Sequence, residues 1–291
     1  MDKSQLSEEY LNNIIDLALA EDLSEGDPTS EILIPPALEG KASILVKASG
    51  VLAGIEVARQ VFFRVDPSLK FDLLIKDGTK IKRGDIAATI SGKVVSILKA
   101  ERTAINFLQR LSGIASITAR YVARARGIKV SITDTRKTTP GLRLLEKYAV
   151  RMGGGKNHRF SLGDAILIKD NHLAALRALG MSLKEIVTKA KKNARGLTVE
   201  VEVTSAQEAL DAADAGVDMI MLDNMTLDEM GRVVKLLQGR VSTEASGGIT
   251  LPKVRTVAMT GVDIMSVGAF THSPKALDIS LELEPQTLKL L

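Results

Sequence analysis

Arg136 and Lys137 stand side by side in TDTRKTTPGLR, residues 133–143, directly after the apolar run Val130-Ser131-Ile132. Adjacent cations where a strand ends and a helix begins are either solvated loop charges or groups that face an anion. Arginine offers a planar fork for a carboxylate, and lysine a point charge suited to phosphate. The next motif, GGGKNHRFSLGDAILIKDNHL, residues 153–173, favours the anion. Its glycines permit a tight loop or close approach of an anion to the backbone. Lys156, His158 and Arg159 follow at once, and Lys169 ends an otherwise apolar strand. A cation in that place is costly unless it is paired or binds an anion. His158 on its own reads as a hydrogen-bonded loop histidine; beside Arg159 and an incoming anion it is a candidate donor. His172 reads as structural, with Asp170 and Asn171 placed to cap or position Lys169.

The later strand ends carry carboxylates and glycines. In VEVEVTS, Glu200 and Glu202 alternate with valine and so share one strand face. Glu202, nearer the carboxyl end, is the better site residue, and Glu200 is placed to pair with a cation deeper in the ring. Asp223 ends IMLDN in the equivalent position. Two such carboxylates can bind a ribose diol, hold Mg²⁺ through water, or simply pair with Lys169 or Lys137. Ser246-Gly247-Gly248 and Gly268 follow the last two strands, where backbone N–H groups left accessible by glycine commonly hold phosphate. The set suits a phosphorylated sugar reacting with a carboxylate-bearing partner.

These residues need a scaffold that brings strand ends together. From residue 127 on, short apolar strands alternate with helical spacing: strands at 130–133, 165–169, 197–205, 218–224, 241–246 and 263–269. Glu202, Asp223, Glu244 and Ser266 recur about every 21 residues, a length that fits one βα unit. Six such strands imply a parallel sheet whose ligands sit at the carboxyl ends. An α/β barrel is the first choice and a doubly wound sheet the second. Thr139 and Pro140 read as the N-cap and first residue of the helix after the first strand. That helix start would add partial positive charge beside Arg136 and Lys137.

The first part of the chain differs. Residues 7–20 are helical in spacing. Residues 41–110 look largely like strands separated by turns at Asp77-Gly78, Gly84-Asp85 and Ser91-Gly92. That hairpin pattern is similar to biotinyl and lipoyl carrier modules but lacks their Met-flanked lysine. A helical stretch over 101–126, interrupted by Gly113, joins the two parts.

Composition narrows the classes. With no cysteine among 291 residues, disulfides and thiolate metal sites are excluded. A net charge of +4, 3% aromatics and no tryptophan argue against a nucleic-acid reader, which needs a denser basic stripe and stacking platforms. The opening residues are mixed in charge and no apolar run nears the ~18–20 residues of a membrane span. The expectation is a cytoplasmic protein without a membrane segment.

The motifs EDLSEGDPTS, ERTAINFLQRLSGIAS, the block from 133 to 172, VEVEV, MLDN, SGGI and SVGA together resemble the quinolinate phosphoribosyltransferase family, also called nicotinate-nucleotide pyrophosphorylase (carboxylating). The resemblance spans almost the whole chain. It implies an N-terminal open-faced α/β sandwich (1–112, with 273–291 packing back on it), an incomplete parallel α/β barrel (113–272) and a homodimer. It implies that quinolinate and phosphoribosyl pyrophosphate give nicotinate mononucleotide, pyrophosphate and CO₂, with Mg²⁺, in NAD biosynthesis. By motif, Thr135, Arg136, His158, Arg159 and Lys169 would bind quinolinate, with Lys137 near the reacting centre. Glu202 and Asp223 would face the ribose and Mg²⁺. Ser246, Gly247, Gly248 and Gly268 would take the 5′-phosphate, His272 being a further phosphate candidate. Arg102 would enter the partner subunit's site.

Two other readings compete. A related phosphoribosyltransferase acting on another acidic base would need fewer cations than Arg102, Arg136, His158 and Arg159 supply. A Schiff-base lyase would use Lys169 as its strand-end nucleophile.

Overall fold

The structure, a computed structural model, describes residues 6–290. The chain begins with α1 (Glu8–Leu23) and α2 (Pro28–Leu33). Next come β1 (Leu38–Val46), β2 (Gly50–Val51), α3 (Ile55–Val65), β3 (Lys70–Leu73), β4 (Lys80–Ile81) and β5 (Ile86–Lys93). The long α4 (Val94–Arg124) leads to β6 (Ser131–Thr133), α5 (Arg143–Met152), β7 (Ile166–Ile168), α6 (Asp170–Ala178) and α7 (Leu183–Asn193). Then come β8 (Val199–Val203), α8 (Ala206–Asp214), β9 (Met219–Asp223), α9 (Leu227–Leu237) and β10 (Ser242–Ser246). The chain ends with α10 (Val254–Ala258), β11 (Ile264–Ser266), α11 (Ala269–His272), β12 (Ile279–Leu283) and β13 (Lys289–Leu290).

Two compact units result. The first holds the residues up to Ala119, Thr138–Gly154 and those from Phe270 on. Its antiparallel sheet runs β12-β1-β5-β3, with β13 also paired to β1. Ile44, Val46 and Ile90 of this sheet are buried, as is the apolar stripe Val57, Ala58, Val61 and Phe62 of α3. β12 is antiparallel to β1 with Ala42 opposite Leu283. Gln109 ties the returning segment to α4, donating from Nε2 to the Ile279 carbonyl at 2.7 Å.

This unit corrects two expectations. Residues 41–110 are not largely strand, because α3 occupies Ile55–Val65 and α4 already begins at Val94. The apolar residues of α3 follow helical rather than alternating spacing, and the Asp77 carboxylate accepts from the Ile55 N–H at 3.0 Å where the helix starts. Nor does Gly113 interrupt α4, which is continuous through it. A Cβ there would collide with the Lys275 carbonyl oxygen, so the glycine admits a close backbone approach rather than a break.

The second unit holds Arg120–Lys137 and Gly155–Ala269. Its six parallel strands run β6-β11-β10-β9-β8-β7. A doubly wound sheet reverses direction from its middle. Here β7 to β11 add in one direction and β6 follows β11, which is the cyclic order of a barrel left open between β6 and β7. This is the incomplete α/β barrel. Its intervening helices are locally specified: Ser182 with Glu185 and Thr226 with Glu229 form capping boxes, and Ser205 caps α8.

Register and pleat sort the side chains. Val199, Val201, Val203, Ile220, Leu222, Ala245 and Met265 alternate along one face and are all buried. Glu202 pairs with Met221, which pairs with Glu244; Asp223 pairs with Ser246. Glu200, Glu202, Asp223, Glu244 and Ser246 therefore share the opposite face. The recurring spacing does not put its residues at one level: Glu244 lies level with Glu202, one step below Asp223. Among the described residues no helix is long and apolar enough to cross a membrane.

Candidate functional site

The site is built from the strand ends of the second unit. Asp134, fully buried just beyond β6, accepts from Asn157 Nδ2 at 2.6 Å and from the His158 N–H at 2.9 Å. Lys156 donates its N–H to the Ile132 carbonyl at 2.8 Å and bridges Thr133 in parallel. These bonds lay residues 156–158 along β6 and bring the KNHR motif beside the TRK motif. Thr135 Oγ1 accepts from the Lys137 N–H at 3.0 Å, closing a tight turn; Arg136 is half-buried and Lys137 exposed.

Arg159 donates from Nη1 to the Ala165 carbonyl at 3.2 Å. Burial is the largest influence lowering its pKa, and the charge of Arg136 adds to it; Glu200, Glu202 and Asp164 oppose. Two guanidinium groups thus repel each other in a partly desolvated place, which is the electrostatic condition for binding an anion. Asp164 fixes the loop behind Arg159, accepting from the Phe160 N–H at 2.7 Å and the Ser161 N–H at 3.0 Å.

His158 Nε2 lies 3.3 Å from Glu200 Oε2 and 3.2 Å from Glu244 Oε2. Both carboxylates are buried, and Glu200 Oε1 and both Glu244 oxygens have no hydrogen-bond partner among the described residues. Burial disfavours the charged imidazole, but the two carboxylates outweigh it and lift His158 to about 10. Burial also pushes the Glu200 carboxyl up, with Glu244 adding to the rise. Nδ1 accepts from the Arg159 N–H at 2.9 Å, so the ring keeps a lone pair there and carries its proton on Nε2. Glu200, whose carboxyl is itself raised, can then hold the further proton implied by these shifts, with the same net charge for the cluster.

His158, Glu200 and Glu244 place one ligand atom each within 4.8 Å of one another, close enough to suggest a metal centre. The Nδ1 acceptor bond argues against it, because Nε2 bearing a proton cannot ligate. Mg²⁺ moreover prefers oxygen ligands. Glu202 and Asp223, half-buried at the strand ends, fit it better.

Lys169 occupies the N-cap position of α6 and donates its N–H to His172 Nδ1 at 2.9 Å, so His172 is a capping residue. Lys169 Nζ is 3.3 Å from Glu202 Oε1. Asp223 Oδ2 accepts from Asn224 Nδ2 at 2.9 Å, and the Asn224 N–H donates to the Ser246 carbonyl at 3.0 Å. Asn224, Gly247 and Gly248 all have positive φ, at 53°, 88° and 58°. A Cβ on Gly247 would collide with the Asn224 carboxamide. Asn224 therefore locks the glycine turn to Asp223. Gly268 follows β11, whose end is held by the Val267 N–H donating to the Thr133 carbonyl at 2.9 Å.

The second unit thus contains Thr135, Arg136, Lys137, His158, Arg159, Lys169, Glu202, Asp223, Ser246, Gly247, Gly248 and Gly268, at or just beyond strand ends. Arg102 and His272 belong to the first unit. Arg102 is exposed, makes no hydrogen bond or ion pair among the described residues, and lines a cavity of about 360 Å³ with Asn106, Phe107 and Arg110. His272 Nδ1 lies 2.6 Å from Ser273 Oγ.

One local expectation changes and another is narrowed to one of its alternatives. Thr139 and Pro140 do not start the helix: α5 begins at Arg143, after a turn in which the Leu142 N–H donates to the Thr139 carbonyl and Gly141 has φ of 80°. Thr139 instead accepts from Arg110 at 2.8 Å and donates its N–H to Glu146 at 3.1 Å. In the glycine triplet, a Cβ on Gly153 would collide with the Ala115 carbonyl, and Gly154 has φ of 84°, so packing and turn geometry account for these two. The sequence reading gave Asp134 and Asn157 no role, and it placed Asn224 and Glu244 at strand ends without assigning them one. The usable signals were polar residues directly after apolar strands and an isolated carboxylate inside VSTEAS.

Comparison with known proteins agrees with this architecture. The family model described as "Quinolinate phosphoribosyl transferase, N-terminal domain" matches residues 27–112, and its C-terminal counterpart residues 114–282. A quinolinate phosphoribosyltransferase [decarboxylating] from Nicotiana glauca is 41% identical over 95% of this chain and 83% of its own length. A probable nicotinate-nucleotide pyrophosphorylase [carboxylating] from Bacillus subtilis is 40% identical over 94% of this chain and 93% of its own. The crystal structure of NadC from Streptococcus pyogenes superimposes with a TM-score of 0.91 at 42% identity, covering 99% of both chains. Human nicotinic acid phosphoribosyltransferase, at 12% identity and a TM-score of 0.61, shares the fold. Two family models spanning nearly all of the sequence, with relatives at about 40% identity, establish that this chain belongs to the quinolinate phosphoribosyl transferase family.

Proposed function

We propose that the protein transfers phosphoribose from phosphoribosyl pyrophosphate to quinolinate with loss of CO₂, yielding nicotinate mononucleotide and pyrophosphate. The observation that carries this reading is that the partly buried Arg159 lies within the field of the Arg136 charge. Quinolinate, with neighbouring carboxylates on a pyridine ring, is an anion of matching charge density. Both substrates are polyanions, and a cationic pocket offsets their repulsion so that they can meet in a reactive orientation.

Arg136, Arg159 and Lys169 hold the carboxylates. Thr135 shapes the turn that separates Arg136 from Lys137, and Lys137 faces the phosphoribosyl side. The ring nitrogen bonds to C1 of the ribose as the bond from C1 to pyrophosphate breaks. Positive charge develops at C1, and Glu202 and Asp223 stabilise it. The same two carboxylates would hold Mg²⁺ through water, and the ion supplies charge neutralisation for the leaving pyrophosphate. The bond from C2 to its carboxylate then breaks, the pyridinium nitrogen stabilises the electron pair left on C2, and that carbon takes a proton. Ser246, Gly247, Gly248 and Gly268 offer N–H groups to the 5′-phosphate. His272 remains a further phosphate candidate. A homodimer with Arg102 of one protomer entering its partner's site completes the cationic set; the Arg102 side chain, exposed and without an ion pair among the described residues, supports this.

A Schiff-base role for Lys169 is disfavoured by its surroundings. Its side chain is 46% exposed and its amine lies beside Glu202, whereas an amine nucleophile needs a desolvated or cation-lined site. The deciding experiment adds quinolinate, phosphoribosyl pyrophosphate and Mg²⁺ and measures pyrophosphate and CO₂. Stoichiometric release of both is expected. Turnover of nicotinate alone would overturn the substrate assignment.

A further inference from the structure

His158 came out of the sequence as a candidate donor to the substrate's carboxylate. Its geometry points elsewhere. Both ring nitrogens are occupied from within the unit: Nδ1 accepts from the Arg159 N–H at 2.9 Å, and Nε2 faces Glu200 and Glu244 at 3.3 and 3.2 Å. The side chain is 15% exposed, while those of Glu200 and Glu244 are 3% and 0% exposed. Its own N–H donates to Asp134 at 2.9 Å. A group that donates to the substrate must have a donor to spare, and the only ring N–H consistent with an accepting Nδ1 points at the carboxylates.

We propose that His158 is a positioning residue: its imidazole braces the buried Glu200–Glu244 pair and fixes the backbone of Arg159, so that Arg159 rather than His158 meets the quinolinate carboxylate. This rests on the phosphoribosyl-transfer reading above. Without the brace, two carboxylates would face each other on adjoining levels of the sheet, with three of their oxygens already lacking a hydrogen-bond partner among the described residues. Leaving buried acidic groups uncompensated is strongly unfavourable, and the strain would fall on the loop that carries Arg159.

The test is second-site suppression. His158→Leu removes both ring contacts, and the expected result is a rise of roughly tenfold or more in KM for quinolinate, with KM for phosphoribosyl pyrophosphate little changed. His158→Leu combined with Glu244→Gln removes the opposed carboxylates, and most of the lost kcat/KM should return although no imidazole is present. A double variant that is folded by circular dichroism yet no better than the single variant would overturn the proposal, because a substrate donor cannot be replaced by neutralising a group behind it. Should His158→Leu fail to fold, nitrogen-15 spectra of the wild-type enzyme decide, the chain having only three histidines. On adding quinolinate, His158 Nδ1 should remain an unprotonated acceptor; its protonation in the complex would overturn the proposal. Wild-type enzyme that fails to turn over quinolinate would sink the functional reading itself, a different outcome from either of these.

Discussion

Lys169 Nζ stands 3.3 Å from Glu202 Oε1, so the cation that ends β7 is paired across the sheet with the carboxylate near the end of β8. The lysine is 46% exposed and the glutamate 14%, so the pair adds little to stability. Its interest is functional, because an incoming carboxylate can take over Lys169 while Glu202 is released toward the ribose. Lys169→Ala should therefore lower kcat/KM for quinolinate by about 10- to 100-fold, the worth of one charge-assisted hydrogen bond, and leave the melting temperature nearly unchanged. Steady-state kinetics and a thermal melt check both halves.

Arg159 and Arg136 make a sharper case for geometry. A guanidinium offers two parallel donors to a carboxylate, and lysine at the same position keeps the charge but loses the fork. Arg159→Lys should raise KM for quinolinate about tenfold or more, with KM for phosphoribosyl pyrophosphate held within a small factor. Equal losses for both substrates would mean that Arg159 serves the whole pocket rather than the pyridine acid.

Gly247 tests the phosphate loop. Its φ of 88° and the Asn224 carboxamide packed where a Cβ would go make Gly247→Ala strained on two counts. The expected cost is about 1–3 kcal/mol, read as a lower melting temperature and a raised KM for phosphoribosyl pyrophosphate. Asn224→Ala, which vacates that space, should soften the effect when combined with it. Additive losses would show that the two residues act separately.

Much of this arrangement could be read from the sequence because strand-end chemistry is local. Six short apolar runs separated by helical spacing specified the parallel sheet, and the residues just past them supplied the site. What escaped was cross-chain or conformational. Asp134 and Asn157 matter through a pairing of two loops that no periodicity encodes. Gly113 looked like a helix breaker because its partner, the Lys275 carbonyl, is remote in sequence. Thr139-Pro140 carried a convincing helix-start signature, yet Gly141 and the bonds of Thr139 to Arg110 and Glu146 turned it into a loop. Glu200 was expected to pair with a cation, and it does meet a basic side chain; what the sequence did not show is that the partner is His158, from a neighbouring loop.

The His158 cluster gives a pH dependence of defined sign. The two carboxylates lift His158 from 6.5 to about 10, so the cluster it forms with Glu200 and Glu244 binds its proton more tightly than the unfolded chain does. The stability this contributes is fully present below pH 6.5 and is lost as pH rises through about 10. Glu200, also raised, acts in the same direction. Melting temperature should therefore decline from pH 7 to 10 more steeply in the wild type than in the His158→Leu, Glu244→Gln double variant. Parallel curves would show that the cluster is not responsible.

Arg102 offers the test of assembly. It sits on α4, exposed and without an ion pair among the described residues, in a cavity that also presents Arg110. An unpaired arginine on a rigid helix is a pre-organised donor for an anion brought by another chain. If Arg102 acts in its partner's site, Arg102→Ala and Lys169→Ala each impair every site of a homodimer at low quinolinate. After mixing and subunit exchange, however, a heterodimer has one site that lacks both side chains and one site that lacks neither. With random exchange of equal amounts, half the dimers are mixed and one site in four is intact, so activity should recover to about a quarter of wild type. Recovery requires that the two residues belong to different protomers. If both served the same chain's site, each site in every mixed dimer would still lack one residue, and no recovery would follow. Exchange confirmed by native mass spectrometry with no gain in activity would therefore remove Arg102 from the partner's site.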